Sequence, residues 1–462
     1  MREALALLVP ACAIGLLVPS LSMALGRPSR VSAAVLAVCL GIGFSSVTTT
    51  VLIVFGITPD SGRFVAADAM IWVSVGALGV WIRRGGVVAV SENGRRLTGG
   101  ARNLNGVDWI VRAAFGATAA VACAAVMSTY LSSPHGEWDA WAIWNQHARF
   151  LFRGGEEWRS MLDIDWSHPD YPLLLPASVA RVWAYAGRET TLGPALIAMV
   201  FGVASVTIVM TALDVGRRRA WIAGALLLGA GAFLGQVPSQ RADVPLACFM
   251  VATLAVACGP TGLLTGRARP QMAALVAGAT SAMAAWTKNE GLAFAVLLLL
   301  LVAIMAVRRG AGRQLLWWVA GGVPVLVTIV WFKLALAPSS SLFEGQSLGI
   351  YADRLLDLDR HLAVATLMAG HLDWGAPFAV AVIPLVGLTA MCLAIGRSGV
   401  AMRLTLAVVG LMFVTYYTVY LTTPFDLTWH VSTSFDRLLA QLWPPLVLAV
   451  FRAGHPVNPV NQ

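Results

Sequence analysis

Apolar runs of about twenty residues recur along this chain, and they constrain its fold more than any other feature. A helix crossing the roughly 30 Å hydrocarbon core of a bilayer needs about 20 apolar residues. Thirteen segments approach that form: 4–25, 31–56, 64–82, 107–131, 191–213, 219–236, 242–258, 271–286, 289–307, 314–336, 374–395, 402–421 and 438–451. Only 12% of the 462 residues are charged, and 58% are hydrophobic. A soluble domain carries about 25% charged residues, so this chain has too little polar surface to coat water-soluble domains. The expectation is an all-α polytopic membrane protein with about 11–13 transmembrane helices. The pairs 219–236/242–258 and 271–286/289–307 are joined by very tight turns, where a broken or re-entrant helix is expected.

The formal charge of +9 does not point to nucleic acid, because the basic residues sit in short clusters between apolar runs. Sorting the loops alternately separates the charges. One set (26–30, 83–106, 214–218, 259–270, 308–313, 397–401 and the C-terminal tail) holds Arg27, Arg30, Arg83, Arg84, Arg95, Arg96, Arg102, Arg217, Arg218, Arg267, Arg269, Arg308, Arg309, Arg313, Arg397 and Arg452. The other set (57–63, 132–190, 237–241, 287–288, 337–373 and 422–437) holds most of the acids, among them Glu137, Asp139, Asp163, Asp170, Glu189, Asp357, Asp373, Asp426 and Asp436. Cytoplasmic loops are enriched in Lys and Arg, so the second set is expected outside the cytoplasm. Arg27 and Arg30 follow the first run, while Arg2 is offset by Glu3. That favours a retained first helix with its N-terminus outside and a cytoplasmic C-terminus. The six cysteines lie in or beside apolar runs without a CxxC pair, which predicts small core residues and neither a disulfide framework nor a zinc site.

Two external loops are long, 132–190 and 337–373. The first carries Trp138, Trp141, Trp144, Trp158, Trp166 and Trp183. Its stretch 139–153 is partly amphipathic, as a helix lying in the outer interface would be, with the tryptophans as aromatic anchors.

Five polar constellations share the external side. They are Glu137-Trp138-Asp139; His168-Pro169-Asp170-Tyr171-Pro172; Gln240-Arg241-Ala242-Asp243-Val244-Pro245; Trp286-Thr287-Lys288-Asn289-Glu290-Gly291; and Asp426-Leu427-Thr428-Trp429-His430, followed by Ser434, Asp436 and Arg437. Each has a plain structural reading. Arg241 with Asp243, Lys288 with Glu290 and Asp436 with Arg437 fit neighbouring ion pairs or snorkelling side chains. Asp139 fits a helix N-cap, and His168 with Asp170 a loop hydrogen bond. Against this stands the insertion cost of an ionised side chain, roughly 2.5–3.5 kcal/mol at a helix centre. Lys288 and Glu290 lie between two apolar segments with almost no loop to carry them into water, so they are expected to line a cavity. In the functional assignment, Lys288, Arg241 and Arg437 supply positive charge for a phosphate. Asp139 takes a proton from an acceptor hydroxyl, and an apolar wall holds a lipid tail.

The order of these motifs resembles a family. The Glu137-x-Asp139 pair opening a large external loop is similar to the modified acidic signature of GT-C glycosyltransferases. The run Glu137-Trp-Asp-Ala-Trp-Ala-Ile-Trp-Asn145, then His168-Pro-Asp-Tyr-Pro172, Ala242-Asp-Val-Pro245 and Thr287-Lys-Asn-Glu-Gly291 resemble the bacterial protein mannosyltransferase-like (RgtA/B/C/D-like) group. The resemblance covers about residues 107–451. It implies a GT-C-like module over 107–462, with 1–106 as accessory transmembrane helices, in a bacterial plasma membrane with the site facing the periplasm or exterior. It further implies inverting transfer of a sugar from a polyprenyl-phosphate donor to a glycan, lipid or protein acceptor. The base role falls on Asp139, with Glu137 as neighbour or alternate. The donor phosphate falls to Arg241, Lys288 and Arg437, and His168, Asp170, Tyr171, Asp243, Glu290 and His430 lie on the substrate side. Metal dependence varies in the superfamily, so a divalent ion stays open. Two departures stand out: the acidic loop follows the fourth apolar run, not the first, and only eleven residues follow the last run. The rival functions are a transporter or flippase of a lipid-linked saccharide, a polysaccharide polymerase or ligase, and a membrane scaffold.

Overall fold

A computed structural model describes residues 2–18, 30–84, 106–259, 270–342, 344–371 and 399–452. Among these residues the regular structure is helical throughout. In lipid every backbone N–H and C=O must be satisfied within the segment, which a helix does and an isolated strand does not. The first four helices are α1 (Arg2–Leu17), α2 (Arg30–Val54), α3 (Gly62–Arg84) and α4 (Gly106–Ser132). The segment after α4 then folds as a π-helical turn (Ala140–Trp144), α5 (Asn145–Arg153), two 3-10 turns (Gly155–Asp163 and Asp165–Ser167) and α6 (Leu174–Ala186). There follow α7 (Leu192–Ala212), α8 (Arg218–Gly229), α9 (Gly231–Gln236), α10 (Asp243–Ala257), α11 (Pro270–Thr287), α12 (Asn289–Arg308) and α13 (Gly312–Ala335). The last are α14 (Leu348–Leu356), α15 (Leu358–His371), α16 (Val400–Thr422) and α17 (Leu427–Arg452).

Seven of the described helices are long and apolar enough to cross a membrane: Arg30–Val54, Gly62–Ile82, Asp108–Ser132, Leu192–Ala212, Asn289–Arg308, Gly312–Ala335 and Val400–Thr422. The chain is therefore an all-α, multi-pass membrane protein. Other expected spans are shorter or broken. The run 219–236 divides at Ala230, which takes an extended ψ of 104° between α8 and α9. The run 4–25 yields a 16-residue α1 with Pro10 inside it. The expected span 374–395, Asp373 and the arginines at 27, 95, 96, 102, 267, 269 and 397 lie outside the described residues.

Helix α10 is the hub. All fifteen of its residues are buried, the pattern of a helix that is hydrophobic on every side. It packs against α7, α11 and α17. Helices α11 and α13 approach backbone to backbone: a Cβ at Gly278 would lie 1.8 Å from the Trp318 carbonyl oxygen, and one at Gly321 would lie 2.0 Å from that of Leu275. Small residues allow this approach where lipid offers no hydrophobic drive between helices.

The amino-terminal helices share the same apolar core as the rest, α2 packing on α6 and α7. A buried ion pair fastens them to the segment after α4. Arg181 of α6 holds Asp68 of α3 at 2.6 Å, with both side chains almost fully buried. Tyr185 donates to the same carboxylate at 2.7 Å, and the Arg181 guanidinium also donates to the Ala6 carbonyl. Nothing in the sequence analysis singled out this pair.

The stretch 139–153 differs from a free interfacial helix. Ile143, Trp144, Ala148 and Leu151 are buried in the protein core, and α5 packs on α6. Trp158 and Trp183 are buried too, whereas Trp138, Trp141 and Trp166 are about half exposed. An anchoring role at a membrane interface therefore fits these three alone. Their indoles contact one another, with ring centroids 6.0 Å apart for Trp138–Trp141 and for Trp138–Trp166.

Candidate functional site

Residues from all five constellations converge at one end of the bundle, and a central carboxylate joins three of them. Asp243 opens α10, where a helix N-terminus favours negative charge, and its side chain is fully buried. It accepts from Lys288 Nζ at 3.1 Å, Arg437 Nε at 3.2 Å and Gln441 Nε2 at 2.6 Å. Arg437 and Gln441 are four residues apart on α17, one turn along the same face. Tyr416 of α16 in turn donates to Gln441 Oε1 at 2.7 Å. Lys288 reaches the centre because the chain reverses there. It is extended (φ −163°, ψ 159°) between α11 and α12, and the hairpin is so tight that a Cβ at Gly291 would meet the Ala284 carbonyl oxygen at 1.8 Å.

Asp139 joins this centre from the segment after α4, its Oδ2 lying 2.7 Å from Arg437 Nη1. It makes no side-chain cap on the turn it precedes, which corrects the N-cap reading: the guanidinium takes the carboxylate instead. Glu137 holds Arg241. The pairing expected between Arg241 and its neighbour Asp243 is therefore replaced by a contact across 104 residues. Likewise Arg437 binds Asp139 and Asp243 rather than Asp436, whose oxygen lies 3.6 Å from His371 Nδ1. The Lys288–Glu290 pair is present at 2.8 Å, with Lys288 shared between Glu290 and Asp243.

The second constellation packs beside the first. Asp170 accepts from Asn289 Nδ2 at 2.7 Å. Lys333, at the end of α13, donates to Asn289 Oδ1 at 2.8 Å and to the Asp170 carbonyl. The Tyr171 ring stacks on both Trp144 (5.4 Å, 14°) and His168 (4.9 Å, 10°), with Lys288 Nζ 5.8 Å from its centroid. His168 has a left-handed backbone, φ 52°, and Gln240 one of 59°. Such conformations are costly without glycine and cluster at functional sites. Burial holds the His168 imidazole below its ordinary pKa, against the pull of Asp170. His430 stands apart from the ion network: its Nδ1 pairs with Thr423 Oγ1 at 2.9 Å, and its ring meets that of Tyr420 edge-on.

Two buried polar atoms at this site have no partner, the Nε donor of Arg241 and the Oε2 acceptor of Glu290. Buried polar groups in folded proteins are nearly always paired, so the Arg241 donor and the Glu290 acceptor each have capacity left for a ligand group. Lys333 has the loosest carboxylate contact of the site's cations. Its closest carboxylate oxygen is 4.0 Å away, and it is more exposed than Lys288 or Arg437. Among the described residues no three His, Cys, Asp or Glu side chains group as a metal site; Asp139, Asp243 and Glu290 each hold a Lys or Arg.

The sequence analysis missed Lys333, Gln441 and Tyr416. A lone lysine in the run 314–336 and a glutamine one turn after Arg437 were the available signals. Comparison of this chain with protein-family models, curated proteins and solved structures gives no match.

Proposed function

We propose that the protein is a membrane glycosyltransferase that moves a sugar from a polyprenyl-phosphate donor onto an acceptor outside the cytoplasm. The observation that carries this reading is the buried network around Asp243, with Glu290 Oε2 unfilled within it and Arg241 Nε unfilled on the neighbouring Glu137 pair. A sugar phosphate offers acceptor oxygens to Arg241 and donor hydroxyls to Glu290. The cations Arg241, Lys288 and Arg437, with Lys333 beside them, supply charge for the phosphate as it leaves, when stabilisation matters more than protonation. Asp139 is the base that accepts the proton of the attacking hydroxyl. The bond formed joins that oxygen to the anomeric carbon; the bond broken frees the lipid phosphate on the opposite face, which inverts the centre. Arg437 holds Asp139 in place. The GT-C-like fold, the bacterial plasma membrane and the external orientation belong to this same reading and rest on the motif order and the arginine asymmetry of the loops.

The test is transfer of radiolabelled sugar from a panel of polyprenyl-phosphate sugars by purified protein, wild type beside Asp139→Asn. Loss of a positioned base lowers rate by about 10²–10⁴-fold. Near-wild-type turnover in a folded Asp139→Asn protein removes Asp139 from the mechanism. Absence of transfer from every donor, with a crude membrane acceptor present, favours a carrier of lipid-linked saccharide.

A further inference from the structure

A cavity of about 190 Å³ lies among residues that run from the end of α4 to the first turn of α7, and none of the roles above uses it. His135, Asn145, Arg149, Trp183, Glu189 and Thr191 line it. His135 comes two residues before Glu137 and Asn145 six after Asp139, so its walls flank the paired carboxylates in the chain. It opens at the outer ends of α4 and α7, where the Tyr130 hydroxyl pairs with Thr191 Oγ1 at 3.2 Å. Asn145 is 3% exposed, yet its Oδ1 has no hydrogen-bond partner. A buried amide oxygen left unpaired is costly, and Asn145 forms part of the cavity wall, so an occupant with a donor would relieve that cost.

The lining narrows the occupant's chemistry. Glu189 already accepts from Arg149 Nε at 3.2 Å and from Arg153, so the carboxylate is fixed with lone pairs to spare. Trp183 is held by its Nε1–H, which donates to the Thr190 carbonyl at 2.8 Å, and its indole forms an apolar wall against which the Arg149 guanidinium lies 5.9 Å from the ring centroid. Fixed acceptors, hydroxyls, a cationic donor and one aromatic wall suit a ring bearing several hydroxyls and an apolar C–H face. A bare anion would meet the Glu189 carboxylate, and a lipid tail would strand the polar lining. The volume accommodates one ring, well short of the roughly 300–1,000 Å³ of drug-sized sites.

We propose that this cavity binds one sugar ring of the acceptor. That the ring belongs to an acceptor rests on the transferase reading; that the cavity binds a pyranoside does not.

The experiment uses the full-length protein in lipid nanodiscs and a panel of free methyl pyranosides, with binding read by saturation-transfer NMR. At least one pyranoside gives a saturable signal, with an affinity on the order of millimolar for so small a ligand. Asn145→Leu removes the unpaired acceptor, and Glu189→Gln halves the charge-assisted pairing. Each weakens binding about tenfold, the equivalent of one good hydrogen bond. Should Asn145→Leu fail to fold, Glu189→Gln carries the comparison. Where transfer is measurable, both variants raise acceptor KM by a similar factor with kcat little changed. Binding by wild type with loss in the variants, but no transfer from any donor, keeps the cavity and discards the transferase. No saturable signal from folded wild type, or equal signals in both variants, overturns the cavity proposal itself.

Discussion

Replacing Asp243 with asparagine tests the architecture of the site most directly. The side chain is fully buried and holds Lys288, Arg437 and Gln441, so no solvent screening reduces its effect. Breaking a buried ion pair by removing one partner costs about 3–5 kcal/mol, because an uncompensated charge is left inside. Here two cations lose a partner, but each keeps a second: Lys288 keeps Glu290 at 2.8 Å, and Arg437 keeps Asp139 at 2.7 Å. The expected cost therefore sits at the low end, about 3 kcal/mol. Lys288→Met removes a cation instead and leaves Asp243 with Arg437 and Gln441, so it costs less than Asp243→Asn. In the double variant the losses are less than additive, with a coupling of about 1–3 kcal/mol. Unfolding of purified protein in mixed micelles by increasing SDS, followed by tryptophan fluorescence, measures all three. An Asp243→Asn cost within about 0.5 kcal/mol of zero, the range of plain surface changes, refutes the hub, and so does a Lys288→Met cost larger than that of Asp243→Asn.

Three further expectations follow from other parts of the fold. His147 in α5 is held down to about 4 from 6.5, first by burial and then by the charge of His168. The unfolded chain thus binds the extra proton more readily, and stability is lost as pH falls from about 6.5 towards 4, by roughly 3 kcal/mol in all; His147→Gln flattens the denaturation midpoint over that window, and an unchanged acid slope rules the residue out. Asp68→Asn or Arg181→Met alone loosens the amino-terminal helices by about 3–5 kcal/mol, while the double variant with both charges removed recovers part of the loss; limited proteolysis between α1 and α6 reads this, and additive losses refute the pairing. Gly278→Ala forces α11 and α13 apart and costs about 1–3 kcal/mol, whereas Gly229→Ala, where a new Cβ meets nothing within 4 Å, leaves the thermal midpoint in place; equal midpoints for the two variants refute the close approach.

Much of this arrangement is legible in the sequence, but unequally. The apolar runs 31–56, 64–82, 107–131, 191–213, 289–307, 314–336 and 402–421 coincide with the seven long apolar helices, because length and hydropathy are local properties. The break at Ala230 falls inside a run that reads as one span, whereas the tight turn at Lys288 was legible for the same local reason. Partner choice was not. Arg241 sits two residues from Asp243 and Arg437 beside Asp436, yet both guanidiniums bind carboxylates far along the chain. Neighbours in sequence point to different faces of a helix, and which faces meet is decided by packing that no local pattern encodes. The buried Asp68 escaped attention because one carboxylate scarcely disturbs an apolar average, and its partner Arg181 lies 113 residues later.

The wiring of Asp243 also sets a timetable for membrane insertion. Chains enter the bilayer from the amino terminus as they are made, and Asp243 arrives first. Its partner Lys288 follows 45 residues later, and Arg437 only 194 residues later, on the last described helix. Asp139 waits for the same guanidinium. Until Arg437 arrives Asp139 lacks its mate and Asp243 has only Lys288, and at the bilayer centre an uncompensated charge costs roughly 2.5–3.5 kcal/mol. The nascent bundle must hold them near its watery edge until α17 slides in and neutralises both. That helix is the keystone of the arch, and a ribosome stalled before Arg437 leaves a protein whose centre has not yet closed.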